Sequence, residues 1–332
     1  MSGGWDTTEE FVKPGQEAHQ WKIEKRASGD FLFKGVTVFF AFSILAILAL
    51  VAMEMYVESL PIIHKFGWWG FVKGSDWDPV NGSFGALPYI WGSVYSSILA
   101  LLFATPLSVG TALFITEILP HRVGGLVASL VELLAAIPSV IYGLWGILVM
   151  VPWLQKTVEP FLIDHFGSLP FFQGAPYGVG MLAAVLILMI MTVPIITSIS
   201  KEVLLAVPQS QKEAAIALGA TRWEMIRMSV LPYGKSGILG AVILGLGRAI
   251  GETMAVTMVI GNTPQLSLSL VNPAYTMPSV IANEFAEATS KLHTAALMEI
   301  GLILLGVTLI VNILARLLLW SVSRNEKGGI RQ

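Results

Sequence analysis

Residues 210–232, SQKEAAIALGATRWEMIRMSVLP, form the one long polar and helix-favouring passage between apolar segments of this chain. Two capping boxes occur in it, each with a hydroxyl residue followed three positions later by a glutamate that together satisfy the free N–H groups of a helix start. The two boxes are Ser210 with Glu213 and Thr221 with Glu224. The stretch therefore predicts two short helices, each with its own start signal.

The turn between these helices is predicted at Gly219, because glycine suits the left-handed residue that stops a helix. Pro232 is expected to end the second helix, since a proline ring interrupts helical hydrogen bonding. Taken alone, two such helices also match a DNA-reading helix-turn-helix. Apolar runs of membrane length on both sides argue against that alternative, because they would hold the element at a bilayer surface. The first helix has a flat surface for docking another protein, made of Ala214, Ala215, Ala217 and Leu218.

The composition is that of an integral membrane protein. Of 332 residues, 55% are hydrophobic and 13% are charged, whereas charged residues make up about a quarter of a typical soluble domain. Spans of about 20 mostly apolar residues predict helices and not barrel strands, because a backbone in lipid must satisfy its own hydrogen bonds. The expected fold class is all-α, surrounded by membrane lipid, with no sign of a nucleic-acid partner. The absence of cysteine excludes disulfides, iron–sulfur clusters and thiol catalysis.

The predicted organisation is a cytoplasmic tail at 1–30, a transmembrane domain at 31–320 and a second cytoplasmic tail at 321–332. Six transmembrane helices are predicted at about 35–53, 86–116, 124–152, 177–200, 236–260 and 292–320. Pro106 is expected to kink the second helix, and Pro194 to break or kink the fourth. Residues 54–85 and 153–176 are expected to be loops, and residues 261–292 a partly re-entrant or surface-lying segment whose backbone the protein or water satisfies.

Lysine and arginine positions predict that both termini are cytoplasmic, since short cytoplasmic loops carry an excess of these residues. Fifteen basic residues fall on the inner side, against four on the outer side. The inner set is Lys13, Lys22, Lys25, Arg26, Lys34, Arg122, Lys201, Lys212, Arg222, Arg227, Lys235, Arg316, Arg324, Lys327 and Arg331, and the outer set is Lys65, Lys73, Lys156 and Lys291. Residues 210–232 are thereby placed in the cytoplasm.

The pattern Glu213-Ala214-Ala215, Gly219, Ile226 and Leu231-Pro232 resembles the EAA loop of binding-protein-dependent ABC importer permeases. This resemblance implies a type I importer permease fold with a core at about 90–320 and a cytoplasmic coupling loop at 208–233. In that family the loop fits a groove on the ATPase subunit. The resemblance therefore implies that Glu213, Ala214, Ala215 and Gly219 couple the chain to an ATPase.

Two further phrases resemble the PstC family, the permease subunits of high-affinity phosphate importers. They are LLAAIPSVIYGLWG at 133–146 and GLGRAIGETMAVTMVIGN at 245–262. The resemblance implies inorganic phosphate as substrate, a location in the bacterial cytoplasmic (inner) membrane, a second permease subunit (PstA-like), two ATPase subunits (PstB-like) and an external phosphate-binding protein (PstS-like). In that family an arginine and a glutamate of the second phrase are implicated in phosphate passage, which maps onto Arg248 and Glu252.

Arg248 lies within a predicted span, where insertion of an arginine costs roughly 2.5 to 3.5 kcal/mol. One interpretation is a structural i,i+4 ion pair with Glu252, with Gly247 and Gly251 allowing another helix to approach. The other is that the pair faces a water-filled path in which Arg248 meets an anion, because the guanidinium fork matches tetrahedral oxyanions. Both interpretations place the two charges on one helix.

Other polar residues of the apolar spans receive mainly structural interpretations. Glu132 is expected to cap a helix or to form an interhelical hydrogen bond, and Glu299 to pair with His293 or with a partner subunit. A turn with a possible gating contact is predicted at the end of the fifth span, at Asn262, Thr263 and Pro264.

No histidine spacing suggests a metal site, no cofactor is expected, and no Gly-x-x-x-x-Gly-Lys-Ser/Thr loop is present to bind ATP. The chain is therefore predicted to be a transport subunit and not an enzyme, with a separate subunit hydrolysing ATP. The alternatives are a permease for another oxyanion, a stand-alone secondary transporter or channel, and an intramembrane hydrolase. The last would need a catalytic constellation that the sequence does not show.

Overall fold

A computed structural model describes the backbone of residues 27–328 and the side chains of 33–120 and 122–320. Most of the predicted N-terminal tail, including Lys13, Lys22, Lys25 and Arg26, lies outside these residues, whereas the backbone of the predicted C-terminal tail is helical as far as Gly328. The described helices are α1 (Ala27–Phe66), α2 (Trp68–Lys73), α3 (Leu87–Leu113), α4 (His121–Ala135), α5 (Ser139–Trp145), α6 (Val151–Trp153), α7 (Glu159–Phe166), α8 (Met181–Leu205), α9 (Gln209–Ala217), α10 (Arg222–Met225), α11 (Leu231–Gly251), α12 (Met254–Val259), α13 (Met277–Glu284) and α14 (Lys291–Gly328).

Wider, π-helical turns join some of these helices without a break. They are Phe114–Ile118 after α3, Gly146–Met150 and Leu154–Val158 on either side of α6, and Ile226–Val230 before α11. Within the described range no β-strand forms beyond a single bridge between Asp78 and Ser83. The predicted all-α fold class is confirmed.

Six helical runs are long and apolar enough to cross a membrane, as predicted. They are Phe33–Phe66, Leu87–Ile118, Ser139–Phe166, Met181–Leu205, Arg222–Gly251 and Lys291–Trp320, called the first to sixth spans below. The chain divides into two compact units, residues 1–53 and 54–332. The described part of the first unit is the first part of α1, and its apolar side chains are mostly exposed, for example Phe39 and Leu45.

The predicted third span is wrong in its position. Residues 121–135 form a separate helix, α4, and the chain breaks at Pro138 before the span begins at Ser139. Proline drives the residue before it away from helical backbone angles, so the apolar run could not continue through Ile137. The residues after Pro152 were predicted to be a loop, but the helical run continues through them to Phe166.

The fifth span also differs from the prediction, because it begins at Arg222 and not at about 236. Pro232 does not end the second helix of residues 210–232 but lies in the first turn of α11, directly after the π-helical turn Ile226–Val230. A helix start tolerates proline because the missing N–H has little use there, and the change from π- to α-helical bonding provides such a start inside a continuous run.

Helix α8 runs through Pro194 without the predicted break. Ser108 of α3 donates a hydrogen bond to the Val193 carbonyl group (3.2 Å), and Thr197 donates one back to the Ser108 carbonyl group (3.3 Å). Pro194 lacks the N–H that would bond the Ile190 carbonyl group, and these two bonds involve the Val193 and Ser108 carbonyl groups instead, so they hold α8 against α3 beside the proline. Helices α3 and α8 are therefore joined by polar contacts as well as by apolar packing.

The segment between α12 and α13 is extended and is threaded into the helices near their outer ends. Its carbonyl groups at Leu270 and Asn272 accept hydrogen bonds from the first amides of α8, those of Leu182 (2.7 Å) and Met181 (3.0 Å). Val271 is fully buried. The expectation that the protein itself satisfies this backbone is confirmed.

Gly92 of α3 lies directly against this outer region, and we predict that Gly92→Ala destabilises the protein. A Cβ atom there would lie 2.1 Å from the Tyr275 carbonyl oxygen, a backbone atom that cannot rotate away. Overpacking of this kind costs about 1–3 kcal/mol. The melting temperature of the purified chain in detergent should therefore fall.

Gly110→Ala on the same helix is the matched control, since a Cβ atom at Gly110 meets nothing within 4 Å. There alanine should stabilise the helix by about 0.5–1 kcal/mol, because it has the higher helix propensity. The melting temperature should therefore stay unchanged or rise. Equal melting temperatures for the two variants would contradict the close approach at Gly92.

Candidate functional site

The turn of the coupling loop, residues 208–233, is a Schellman motif. Gly219 has φ +87°, its N–H donates to the Ile216 carbonyl oxygen (2.9 Å), and the N–H of Ala220 donates to that of Ala215 (3.1 Å). These two bonds close the last carbonyl groups of α9, and the positive φ angle favours glycine. The predicted helix stop at Gly219 is confirmed.

The second of the two predicted capping boxes is present. The Thr221 hydroxyl oxygen accepts from the Glu224 N–H (3.3 Å), and a Glu224 carboxylate oxygen accepts from the Thr221 N–H (2.8 Å). The first box is wrong, because α9 begins one residue before Ser210 and no side chain caps it. Pro208 occupies the cap position, and its carbonyl group already accepts from Gln211 (3.1 Å), so the ring turns the chain into the helix earlier than predicted.

The face of α9 that resembles the EAA pattern is largely open. Glu213, Ala214 and Gly219 are exposed, and Leu218 keeps 90% of its surface. Ala215 instead packs against a small apolar cluster under the loop. The predicted flat surface is therefore made by part of the set, and an exposed apolar patch of this kind marks an interaction site more often than a lipid-facing one when it lies beyond the spans.

An open groove of about 800 Å³ lies between the two helical parts of the coupling loop. Ala214 and Leu218 line one side of it, and Met228 and Tyr233 line the other. Small and flexible apolar side chains make such a groove adaptable in shape. The loop thus offers both a protruding helix and a recess beside it.

Arg248 lies in the last turn of α11, near the end of the fifth span. A Cβ atom at Gly245, less than one turn away, would lie 2.9 Å from Ile196, which is in the central part of α8. The Arg248 side chain is exposed, and it forms no ion pair or hydrogen bond with any residue in the described part of the chain.

The predicted i,i+4 pair between Arg248 and Glu252 is wrong. Helix α11 ends at Gly251, and Glu252 has extended backbone angles (φ −69°, ψ 125°), so its side chain no longer follows the face that Arg248 occupies. A Glu252 carboxylate oxygen instead accepts from the Ala255 N–H (3.4 Å) at the start of α12. The two residues are neighbours at a helix break and not partners on one helix.

The break between α11 and α12 lies against α5, which itself follows a break in the chain. A Cβ atom at Gly143 of α5 would lie 2.7 Å from the Met258 sulfur and 3.0 Å from the Ala255 Cα atom of α12. Helix α5 itself begins just after the break at Pro138. Interrupted helices at membrane depth are where irregular backbone lines a cavity in many transporters. The two phrases at 133–146 and 245–262 therefore meet in space.

Asn262, Thr263 and Pro264 form the predicted turn. Gly261 and Asn262 both have positive φ angles (88° and 47°). The Asn262 side-chain amide donates to the Thr257 carbonyl oxygen (2.9 Å), and the Thr263 N–H donates to that of Ala274 (3.1 Å). The turn is confirmed, whereas a gating contact stays a prediction.

The acidic residues predicted to be structural have mixed outcomes. Glu132 forms the predicted interhelical contact, 2.8 Å from Lys201 of α8, although α4 lies outside the spans. Glu299 is fully buried and lies beside Ser59 of α1. Its predicted pairing with His293 is wrong, because the His293 ring lies 3.0 Å from a carboxylate oxygen of Glu284.

Two polar sites were not predicted from the sequence. Glu284 also accepts from the Trp77 indole N–H (2.9 Å), so it joins the outer loop before α3 to α13 and α14. Beside it, burial raises the pKa of Tyr275 to about 12. The second site is an ion pair between Lys212 and Glu117 (2.6 Å). The sequence signals for this ion pair were the charge of Lys212 next to the EAA pattern and the lone carboxylate of Glu117 at the end of a span.

Comparisons with known proteins agree with this geometry. Residues 105–324 match the family described as binding-protein-dependent transport system inner membrane component. The chain is 44% identical over 304 residues to the phosphate transport system permease protein PstC of Mesorhizobium japonicum, covering 90% of this chain and 93% of that one. It is also 44% identical to PstC of Pasteurella multocida, over 90% of this chain and 93% of the relative. The chain belongs to the PstC family of permeases.

A solved structure supports the fold assignment for this PstC family member. The inward-facing MetNI methionine ABC transporter aligns with a TM-score of 0.54 and 16% identity, covering 70% of this chain and 94% of that one. At this identity the likeness concerns the fold alone. The predicted type I importer permease fold is confirmed.

Substitution of Gly219 should test the turn without touching a neighbour, since a Cβ atom there meets nothing within 4 Å. We predict that Gly219→Val loosens the end of α9, because a positive φ angle costs a β-branched residue about 1–2 kcal/mol or more. Amide hydrogen exchange at the end of α9 should speed up accordingly. Gly219→Asn is the control, since asparagine tolerates this conformation, and equal exchange rates for the two variants would contradict the prediction.

Proposed function

We propose that this chain forms half of the translocation pathway of an ATP-driven phosphate importer in a bacterial inner membrane. It pairs with a second, PstA-like permease subunit, two PstB-like ATPase subunits and an external PstS-like phosphate-binding protein. The names of the relatives and the family match support the phosphate substrate and the importer assembly. The chain supplies the path and the coupling loop, and the ATPase subunits supply hydrolysis.

The observation that carries the proposal is the unpaired Arg248 at membrane depth. A guanidinium group there is costly unless water, an anion or a partner compensates it. Its planar fork offers two parallel N–H donors to a tetrahedral oxyanion, which the point charge of a lysine does not. A phosphate ion that enters a path between two permease subunits would meet this exposed side chain.

Glu252 limits how tightly the anion is held. Four positions along, beyond the helix end, its carboxylate is tethered to the start of α12 and is free of Arg248. A rearrangement that extends α11 by one turn would bring the carboxylate onto the Arg248 face, where it would compete for the guanidinium group and displace the anion. The helix break thus provides two states, one with α11 ending at Gly251 and one with α11 extended by a turn. The anion would be bound more weakly in the second state.

The remaining parts of the pathway take their roles from position. Glu213, Ala214, Ala215 and Gly219 contact the ATPase from the open face of α9. Asn262, Thr263 and Pro264, at the turn that follows α12, act as the outer gate because they connect the broken fifth helix to the threaded segment. The outer segments at 67–86 and 261–290 receive the phosphate-binding protein.

The central test measures phosphate uptake by the reconstituted complex. Arg248→Gln should abolish uptake with the complex intact, and Arg248→Lys should recover little of it, because the fork is lost. Glu252→Gln should keep the yield of folded complex but slow release of the anion. Arg316→Gln, at an exposed arginine of the sixth span, is the control and should transport normally.

Normal uptake by Arg248→Gln would contradict the anion role. Competition with sulfate and molybdate separates the phosphate assignment from that of another oxyanion: either ion should leave phosphate uptake unchanged, and equal competition would reassign the substrate.

Co-purification tests the assembly. A tagged chain should bring down an ATPase subunit, and Ala214→Trp on the open face of α9 should weaken that association by steric obstruction. Leu126→Trp, at an exposed position of α4, is the matched control for adding an indole group. A tagged chain that transports phosphate without any ATPase would identify a stand-alone transporter instead.

A further inference from the structure

Lys212 connects the coupling loop to the second span. It directly precedes Glu213 in α9, but its side chain turns inward, and its Nζ atom lies 2.6 Å from a carboxylate oxygen of Glu117. Glu117 lies in the π-helical turn Phe114–Ile118 that ends the second span. The two side chains keep only 12% and 6% of their surface, which makes this the shortest and best-buried ion pair between Lys or Arg and a carboxylate among the described residues.

Little else fixes the position of α9. None of its residues is fully buried, and Ala215 is its member packed against the apolar cluster under the loop. An element with few buried apolar contacts has low local stability and moves easily. A short, shielded ion pair therefore has a large share in deciding where α9 sits.

The contact also leads into the core. Glu117 follows α3 without a break, and α3 is joined to α8 by the hydrogen bonds of Ser108. On the other side of α9, the π-helical turn Ile226–Val230 lies inside the fifth span and continues directly into α11. Such turns are often found at functional sites. Displacement of α9 thus has a covalent route into the fifth span and an ionic route into the second.

We propose that the Lys212–Glu117 ion pair positions α9 and transmits its displacement to the second span. The pair acts through the helices and touches neither phosphate nor ATP. A lysine ammonium group has three rotatable donors, so α9 can tilt while the contact persists. The proposal rests on the proposed coupling function, and it names the side chains through which the coupling loop moves the membrane domain.

Distance measurements on the full chain test the positioning role. The chain has no cysteine, so spin labels can be placed at Ala217→Cys on α9 and Ile118→Cys at the end of the second span, both exposed positions. Without the ion pair, the distribution of label distances should broaden. Glu117→Gln is tested beside Lys212→Met, because Arg222 lines the same cleft and offers Glu117 another cation.

Lys201→Met is the matched control for removing a lysine from the cytoplasmic side. Its partners Glu132 and Glu202 keep 52% and 69% of their surface, so neither is left as a buried, unpaired charge. The label distances should stay as narrow as in the parent. Distances unchanged in both Lys212→Met and Glu117→Gln would overturn the proposal.

Coupling is measured on the complete complex as phosphate transported per ATP hydrolysed in proteoliposomes. Each single variant should lower this ratio about tenfold, within the usual range of coupling between two sites. The reversed pair Lys212→Glu with Glu117→Lys should recover it. The neutral pair Lys212→Met with Glu117→Leu should recover the yield of folded complex, because no charge is left unpaired, but not the ratio.

A neutral pair with the parental ratio would assign the ion pair a purely structural role and overturn the proposal. Failure of the proposed importer function would give a different result, because no ATPase subunit would then co-purify with the tagged chain. The label distances would still decide whether Lys212 and Glu117 position α9.

Discussion

A backbone amide placed at membrane depth must find its partner inside the protein, and the outer half of this molecule is arranged around that constraint. The extended segment after α12 meets it by bonding to the first amides of α8 and to residues around Ile260, where Ala274 donates (3.0 Å). Trp91 and Tyr95 of α3 donate to the carbonyl groups of Ser267 and Leu268 (both 2.9 Å). The segment is thereby held between α3 and α8. These bonds stabilise the chain that follows the break between α11 and α12.

Small residues bring these backbones close enough. Gly92 and Gly143 each face a neighbouring segment at a distance that no side chain would allow, and Gly245 faces Ile196 in the same way. In lipid, close backbone approach and van der Waals contact take the place of the hydrophobic effect between helices. In α11 the packed Gly245 and the exposed Arg248 are three residues apart, so the arginine lies beside the close contact with α8.

The cytoplasmic side follows a different principle. There α9 has no fully buried residue, and the Lys212–Glu117 ion pair holds it to the end of the second span. This ion pair is directional and shielded from solvent, and the three donors of the ammonium group let α9 tilt while the contact persists. The outer half of the described molecule is thus tightly threaded, whereas α9 on the other side is held by few contacts.

Hydropathy, capping and positive φ are local properties, so the number of spans, the all-α class, the Thr221–Glu224 box and the Gly219 stop could be predicted from the sequence, although the third and fifth spans were misplaced. The family resemblance likewise followed from short contiguous phrases. The positions of the helix breaks came from the folded structure: the chain breaks at Pro138, α8 runs through Pro194, and Pro232 lies in the first turn of α11, because the effect of a proline depends on where it falls in a helix. The Lys212–Glu117 pair and the separation of Arg248 from Glu252 were equally beyond the sequence, because both depend on how distant segments, or the two sides of a helix break, are placed in space.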